Sequence, residues 1–173
     1  MKEIVILADG DFPKTEYPLW LLGAAEAVIC CDGALVKYLE FSGGKAPAAA
    51  VGDMDTLSKE MRTLFADIVV KYDEQDYDDL AKAVRYSLTA YPEVERIHVL
   101  GATGGAEDFT LGNLGLLMEF CRSHPDISFD MISDHTTAFP LHDSETFDCG
   151  AGRTVSVFSP DPTLRIASKG LAW

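Results

Sequence analysis

The chain has 173 residues, of which 47% are hydrophobic and 24% are charged, a composition typical of one or two globular domains. The formal net charge is −14, with 28 acidic and 14 basic residues, and no basic run suits a nucleic-acid backbone. The longest apolar run near the start, residues 4–8, is too short for a signal sequence or a membrane span. We therefore expect a cytoplasmic protein with no nucleic-acid and no membrane partner.

Strand-like and helix-like segments alternate along the first two-thirds of the chain. Apolar runs predict strands at 3–8, 27–31, 47–51, 68–71, 96–100 and 127–132. Helical spacing predicts helices at 20–27, from 34 to about 43, and at 57–65, 76–91 and 110–122. The fold class is therefore α/β, with a mostly parallel sheet flanked by helices in a Rossmann-like N-terminal domain.

The pattern changes after Pro125, where no helical period is found. Short strand-like segments separated by turns occur at 136–141, 145–149, 154–158 and 164–167. We predict an α/β domain over residues 1–134 and a small, apparently incomplete all-β unit over residues 135–173. Because about 40 residues rarely bury enough apolar surface to fold alone, this unit should pack on the first domain or on another subunit.

Two closely spaced carboxylates, Asp53 and Asp55, follow the apolar run that ends at Val51. Gly52 breaks this run where a loop would leave the carboxyl edge of the sheet, the edge at which α/β proteins bind ligands. Alternate residues of an extended segment point the same way, so both carboxylates can bind one hard cation such as Mg²⁺. An ordinary Asp-rich turn is the alternative interpretation.

A second acidic segment covers residues 73–79 and leads into the helix predicted at 76–91. Asp76 and Asp79 lie three residues apart, so they would share one face of that helix. Carboxylates in a first helical turn also interact favourably with the helix dipole and need no ligand. So many adjacent acids repel one another, however, and this favours a cation bound by both acidic segments.

A glycine-rich turn, residues 101–108, follows the strand predicted at 96–100. Such a turn lets backbone amides approach a phosphate closely. It matches neither common phosphate-loop pattern. A tight turn with Asp108 as the N-cap of the next helix is an equally good local interpretation.

Several motifs together resemble the thiamine pyrophosphokinase family. They occur in the order and spacing of that family and span nearly the whole chain: Asp32-Gly33-Ala34, Gly52-Asp53-Met54-Asp55-Thr56, Asp76-Tyr77-Asp78-Asp79 with Lys82-Ala83, Gly101-Ala102-Thr103-Gly104-Gly105, Asp108 with Thr110, Leu111 and Asn113, and Lys169-Gly170-Leu171-Ala172-Trp173. The resemblance implies transfer of a diphosphate from ATP to the hydroxyl of thiamine, with Mg²⁺ as cofactor. It also implies a C-terminal β domain and a homodimer whose thiamine site draws on both subunits.

The resemblance, read with the chemistry of each residue, suggests a role for every candidate. Asp53, Asp55, Asp76 and Asp79 would bind the metal and serve catalysis. Asp32, Gly33, Gly104, Asp108, Thr110, Asn113 and Lys82 would lie on the nucleotide or metal side, although Lys82 is equally interpretable as a solvated helical lysine. Trp173 would contact the thiamine ring, since an aromatic face suits a cationic ring.

The chain departs from the family pattern at three points. Ala106 and Phe109 stand where the family usually has a basic residue and a histidine, and Asp78 stands where threonine is common. The sequence also stops at Trp173, whereas family members continue with further strands. Two alternatives therefore stay open: a non-catalytic relative that binds nucleotide or thiamine, and another Mg²⁺-dependent phosphotransferase or phosphohydrolase.

Overall fold

The computed structural model describes residues 2–74 and 76–171. Five helices and seven strands are found in this part of the chain. The strands are β1 (Glu3–Leu7), β2 (Val28–Cys31), β3 (Ala49–Gly52), β4 (Val69–Lys71), β5 (Arg96–Leu100), β6 (Ser128–Ile132) and β7 (Thr137–Ala138). The helices are α1 (Glu16–Ala24), α2 (Ala34–Phe41), α3 (Lys59–Leu64), α4 (Asp79–Ala90) and α5 (Glu107–Ser123).

All seven strands form one sheet in the order β4-β3-β2-β1-β5-β6-β7. Every neighbouring pair is parallel except β6 and β7, which are antiparallel. The mostly parallel α/β sheet predicted from the sequence is therefore confirmed. The chain leaves β1 toward β2 on one side and returns to β5 on the other. The crevice between the ends of β1 and β5 is thus the switch point at which sheets of this class bind ligands.

Both faces of the sheet are buried, which explains the unbroken apolar runs of the central strands. In β1, Ile4 and Ile6 belong to one hydrophobic cluster, which also contains α4 and α5 side chains. Val5 and Leu7 belong to the other cluster, with side chains of α1 and α2. This two-sided packing fixes the carboxyl ends of the strands, where the candidate site lies.

The helix boundaries differ from the predictions in ways that matter for the site. α1 begins at Glu16 instead of residue 20 and α5 begins at Glu107 instead of residue 110. α4 begins at Asp79, and the Asp78 carboxylate caps it by accepting a bond from the N–H of Ala81 at 2.8 Å. The prediction that Asp76 and Asp79 share a helical face is therefore wrong, because Asp76 precedes the helix.

The chain divides into two compact units, Met1–His142 and Asp143–Trp173. The segment predicted as a strand at 136–141 contributes only Thr137–Ala138, and it extends the first sheet beside β6. Within residues 143–171 the structure has neither strand nor helix, so the strands predicted at 145–149, 154–158 and 164–167 are not formed. Isolated short strands gain too little to form without partners in a sheet. No helix in the described part of the chain is long and apolar enough to cross a membrane.

Asp134, just beyond β6, holds the start of α1. Its Oδ1 accepts bonds from the backbone N–H groups of Lys14 and Thr15, both at 2.8 Å, and from the Thr15 hydroxyl at 3.0 Å. These two backbone bonds lower the pKa of the Asp134 carboxyl. The ionised carboxylate therefore stabilises the fold above the unfolded-state pKa of about 3.9, and this contribution is lost as the pH falls through the lower folded-state pKa.

We expect Asp134→Ala to lower the melting temperature at pH 7, with a difference from wild type that shrinks as the pH falls below about 4. Thermal melts of both proteins across this pH range measure the effect. Asp126→Ala, at an exposed aspartate before β6, is the control and should show little difference at any pH. A deficit for Asp134→Ala that is independent of pH would contradict the assigned role of its charge.

Candidate metal and nucleotide site

Three carboxylates converge beyond the ends of β2 and β3. Asp32 follows β2, while Asp53 and Asp55 follow β3, and one oxygen of each lies within 4.8 Å of the others. Asp32 is buried, Asp53 is half-buried and Asp55 is exposed. Three converging carboxylate oxygens are a ligand set that suits Mg²⁺. The structure therefore brings the predicted pair together, and it adds Asp32, which the resemblance placed only near nucleotide or metal.

The backbone around this carboxylate group is unusual. Met54, between the two aspartates, has φ +67° and is fully buried, and Asp32 has φ +34°. Left-handed backbone at residues other than glycine is costly and is concentrated at functional sites. The two carboxylates thus converge through a turn at Met54, anchored by its buried side chain, and not through the extended segment we predicted.

Asp79 approaches the same group from the start of α4. A Cβ atom added at Gly52 would lie 3.0 Å from Asp32 Cβ and 3.1 Å from Asp79 Cγ, so Gly52 provides the space in which these side chains meet. Lys82 Nζ donates to Asp79 Oδ1 at 3.1 Å, and the Lys82 side chain is only 3% exposed. The interpretation of Lys82 as a solvated lysine is therefore wrong. Asp76 is exposed and lies outside the cluster formed by the described acidic residues.

The Asp32 carboxylate is incompletely paired. Its Oδ2 accepts a bond from the N–H of Thr56 at 3.3 Å, whereas its buried Oδ1 has no hydrogen-bond partner among the described residues. Burial raises the pKa of Asp32, bonds from Thr56 oppose this shift, and the charges of Asp79 and Asp55 add to it. A buried carboxylate oxygen without a donor is costly. A cation bound here would supply the missing partner, so the residues fit a divalent metal.

A cleft of about 400 Å³ opens beside the carboxylate group. It lies at the switch point between β1 and β5. Its walls come from the loop after β1, the end of β2, the start of α4 and the first turns of α5, with Ala8, Asp9, Cys31, Asp78, Asp79, Leu80, Asp108, Phe109, Gly112 and Asn113 as lining residues. The cleft is large enough for part of a nucleotide, and its wall combines acceptor carboxylates with an aromatic ring.

The glycine-rich loop after β5 is held by two side chains of α5. The Thr110 hydroxyl accepts a bond from the N–H of Gly104 at 3.2 Å, and the buried Asn113 amide donates to the carbonyl of Ala102 at 3.0 Å. Gly104 has φ +84°, which explains why glycine is used there. Thr110 and Asn113 therefore shape the loop, and Asn113 also lines the cleft. Asp108 lies in the first turn of α5 and is not its N-cap, which is Ala106.

Our sequence analysis missed Asp9 and Lys37. Asp9 follows β1 and faces the cleft, and a Cβ added at Gly33 would lie 2.3 Å from Asp9 Oδ2. Lys37 of α2 pairs with Asp9 Oδ1 at 2.8 Å. The signal for Asp9 was present, because Asp9-Gly10 follows an apolar strand as Asp32-Gly33 does. Nothing in the local sequence indicates that Lys37 reaches this loop.

The four cysteines are free thiols. Burial raises the pKa of Cys30 and of Cys31 well above the ordinary range, so both stay protonated and unreactive. The Cys31 thiol donates to the carbonyl of Asp79 at 3.6 Å. Cys31 therefore packs beneath the site, Cys30 packs in the core on the other face of the sheet, and neither takes part in the chemistry.

Comparison with known proteins identifies the family. Residues 20–129 match the family described as "Thiamin pyrophosphokinase, catalytic domain", a span that includes the carboxylate group and most of the cleft. This chain belongs to the thiamin pyrophosphokinase family. It is 33% identical over 132 residues to thiamin pyrophosphokinase 1 of Caenorhabditis elegans, covering 73% of this chain and 53% of that protein. It is 29% identical over 154 residues to thiamine pyrophosphokinase of Bacillus subtilis, covering 81% and 65% respectively.

The fold comparison agrees with the family assignment. The crystal structure of the Bacillus subtilis thiamine pyrophosphokinase superposes with a TM-score of 0.60 and 27% identity, over 76% of this chain and 60% of that one. The chain thus spans less than two-thirds of the length of these relatives. Trp173, the residue expected to contact thiamine, lies outside the described residues.

Proposed function

We propose that this thiamin pyrophosphokinase family member transfers a diphosphate from ATP to the hydroxyl of thiamine, giving thiamine diphosphate and AMP. The observation that carries the proposal is the Asp32, Asp53 and Asp55 group, beside a cleft at the sheet's switch point. The family match over residues 20–129 supports the choice of substrates. Transfer of a phosphoryl group depends mainly on charge neutralisation and positioning, and this arrangement is suited to both.

Mg²⁺ is the metal that we propose for the carboxylate group, with Asp32, Asp53 and Asp55 as ligands and Asp79 beside them. The unpartnered Oδ1 of Asp32 supports this assignment. When bound, the metal would neutralise the charge of the ATP phosphates. The Lys82 ammonium already compensates Asp79, which limits repulsion between that carboxylate and the phosphates. Asp76 stays a proposed site residue from its sequence position alone.

The reaction needs in-line attack of the thiamine hydroxyl oxygen on the β-phosphorus of ATP. The new bond joins that oxygen to the β-phosphorus, and the bond from the β-phosphorus to the oxygen bridging the α-phosphorus breaks, so that AMP leaves with the bridging oxygen. One carboxylate of the carboxylate group accepts the proton of the thiamine hydroxyl. The nucleotide side of the site is formed by Asp108 and by the glycine-rich loop, which Thr110 and Asn113 hold in place.

Three further assignments belong to this proposal. The segment after the α/β domain, through Trp173, contributes to the thiamine site, and its short strand-like segments form a β domain only where partner strands are supplied. The protein acts as a homodimer with thiamine and ATP as its small-molecule partners. It is located in the cytoplasm, which the four free thiols support because a reducing compartment keeps thiols unpaired.

The test is release of AMP from ATP and Mg²⁺ by the purified 173-residue chain, measured with and without thiamine. We expect AMP to form only when thiamine is present. AMP or ADP formed at the same rate without thiamine would instead indicate a phosphohydrolase or another phosphotransferase. Nucleotide binding without any turnover would indicate a non-catalytic relative, and either result would contradict the proposal.

A further inference from the structure

The ammonium group of Lys37 bonds to one dipeptide in the loop that follows β1. It donates to the carbonyls of Asp9 and Gly10, both at 2.8 Å, and pairs with Asp9 Oδ1 at 2.8 Å. The carbonyls of Asp9 and Gly10 thus take two of the three donors of the ammonium group, and the Asp9 carboxylate pairs with its charge. Lys37 therefore ties α2 to the loop that follows β1.

The same loop is bonded on its other side to the glycine-rich loop. The N–H of Gly10 donates to the carbonyl of Gly101 at 2.7 Å, and the N–H of Asp11 donates to the carbonyl of Thr103 at 2.8 Å. The carbonyls of Asp9 and Gly10 bond to Lys37, and the N–H groups of Gly10 and Asp11 bond to the glycine-rich loop. The Asp9-Gly10 turn is therefore fixed from both sides. It forms the junction between the two loops of the switch point.

This junction shapes the cleft. Asp9 lines the cleft, as does Phe109, and the Phe109 ring would lie 2.8 Å from a Cβ added at Gly10. A shift of the turn would therefore displace both an acidic and an aromatic part of the wall. Lys37 itself does not line the cleft. Its charge also offsets that of Asp9, which would otherwise repel a polyphosphate.

We propose that Lys37 is a positioning residue for the nucleotide: it holds the Asp9-Gly10 turn against the glycine-rich loop and compensates the Asp9 charge. The inference rests on the proposed function, since it takes ATP as the occupant of the cleft. Lys37 supports nucleotide binding and not the chemical step, because the carboxylate group follows β2 and β3, whereas Lys37 bonds to the loop after β1. Loss of Lys37 should therefore raise KM for ATP and leave kcat nearly unchanged.

The test measures binding of a non-hydrolysable ATP analogue with Mg²⁺ by calorimetry, together with kcat and KM. For Lys37→Met we expect the Kd for the analogue and KM for ATP to rise about tenfold while kcat stays within about twofold. Lys37→Arg, which keeps the charge and several donors, should recover part of the loss. Lys45→Met, at an exposed lysine just beyond α2, is the matched control and should bind like wild type.

A structural measurement accompanies the binding test. Amide exchange followed by NMR in the ligand-free proteins should show several-fold faster exchange at Gly10 and Asp11 in Lys37→Met than in Lys45→Met. If Lys37→Met does not fold, Lys37→Gln takes its place in both measurements. Unchanged nucleotide affinity in a folded Lys37 variant would overturn this inference and leave the proposed function standing. Absence of nucleotide binding by the wild-type protein would overturn both.

Discussion

Asp53→Asn and Asp55→Asn are each expected to lower Mg²⁺-dependent turnover by about a thousandfold or more, equivalent to about 4 kcal/mol of transition-state stabilisation. Each substitution removes one charge from the group formed with Asp32, so the remaining ligands hold the metal weakly. Steady-state rates at saturating ATP, thiamine and Mg²⁺ measure the effect.

The same substitutions should not harm folding. Removing one of several like charges relieves repulsion, so each variant should melt at or above the wild-type temperature in the absence of Mg²⁺. Asp67→Asn, at an exposed aspartate that lies between the two acidic segments and belongs to neither, is the control and should keep the wild-type rate. A folded Asp55→Asn variant with full activity would remove this carboxylate from the mechanism.

The activity of Asp76→Asn tests whether Asp76 binds the metal, a point on which the sequence and the structure lead to different predictions. The sequence motif places Asp76 among the metal ligands, whereas the structure leaves it exposed and outside the carboxylate group. The structure therefore predicts a loss of activity much smaller than that of Asp53→Asn. An equal loss would indicate that Asp76 reaches the metal when substrates are bound.

Gly10→Ala is expected to be strongly destabilising, by about 2–4 kcal/mol. An added Cβ would lie 2.4 Å from the carbonyl oxygen of Thr103 and 2.5 Å from that of Gly101. Both contacts are to backbone atoms that are themselves hydrogen-bonded to this loop, so neither can move without breaking the junction. Denaturant unfolding gives the change in the free energy of unfolding, and nucleotide binding should be lost with it.

Gly115→Ala is the matched control for that substitution. Gly115 lies within α5, and an added Cβ there would meet nothing within 4 Å. Alanine is favoured over glycine inside a helix by about 1 kcal/mol, so this variant should be slightly more stable than wild type. If Gly10→Ala were as stable as Gly115→Ala, the close approach of the two loops would be contradicted.

The sequence alone predicts most of the α/β domain because its signals are local. Runs such as residues 96–100, in which Ile97, Val99 and Leu100 are apolar, favour a buried strand, and β5 has the predicted bounds. The acidic pair at Asp53 and Asp55 was also predictable, since Gly52 marks the end of a strand. The strand-like segments of residues 145–167 misled us, because alternation indicates strands only where partner strands exist.

The parts of the site that sequence reasoning missed depend on tertiary contacts. The Asp32 carboxylate joins Asp53 and Asp55 because β2 and β3 are neighbours in the sheet, which local patterns do not specify. The left-handed turn at Met54 is not predictable from the residue type, since methionine disfavours that conformation. The role of Lys37 is likewise not specified by local sequence patterns, because its hydrogen-bond partners are 27 and 28 residues away along the chain.

Transfer of the diphosphate as one unit is the central claim, and isotope tracing tests it most directly. ATP would carry ¹⁸O in the non-bridging oxygens of its β- and γ-phosphates, and the 173-residue chain would be incubated with this ATP, Mg²⁺ and thiamine. Mass spectrometry should then find thiamine diphosphate carrying the full label, together with unlabelled AMP. Labelled ADP, or labelled inorganic phosphate or diphosphate with thiamine unchanged, would contradict the account.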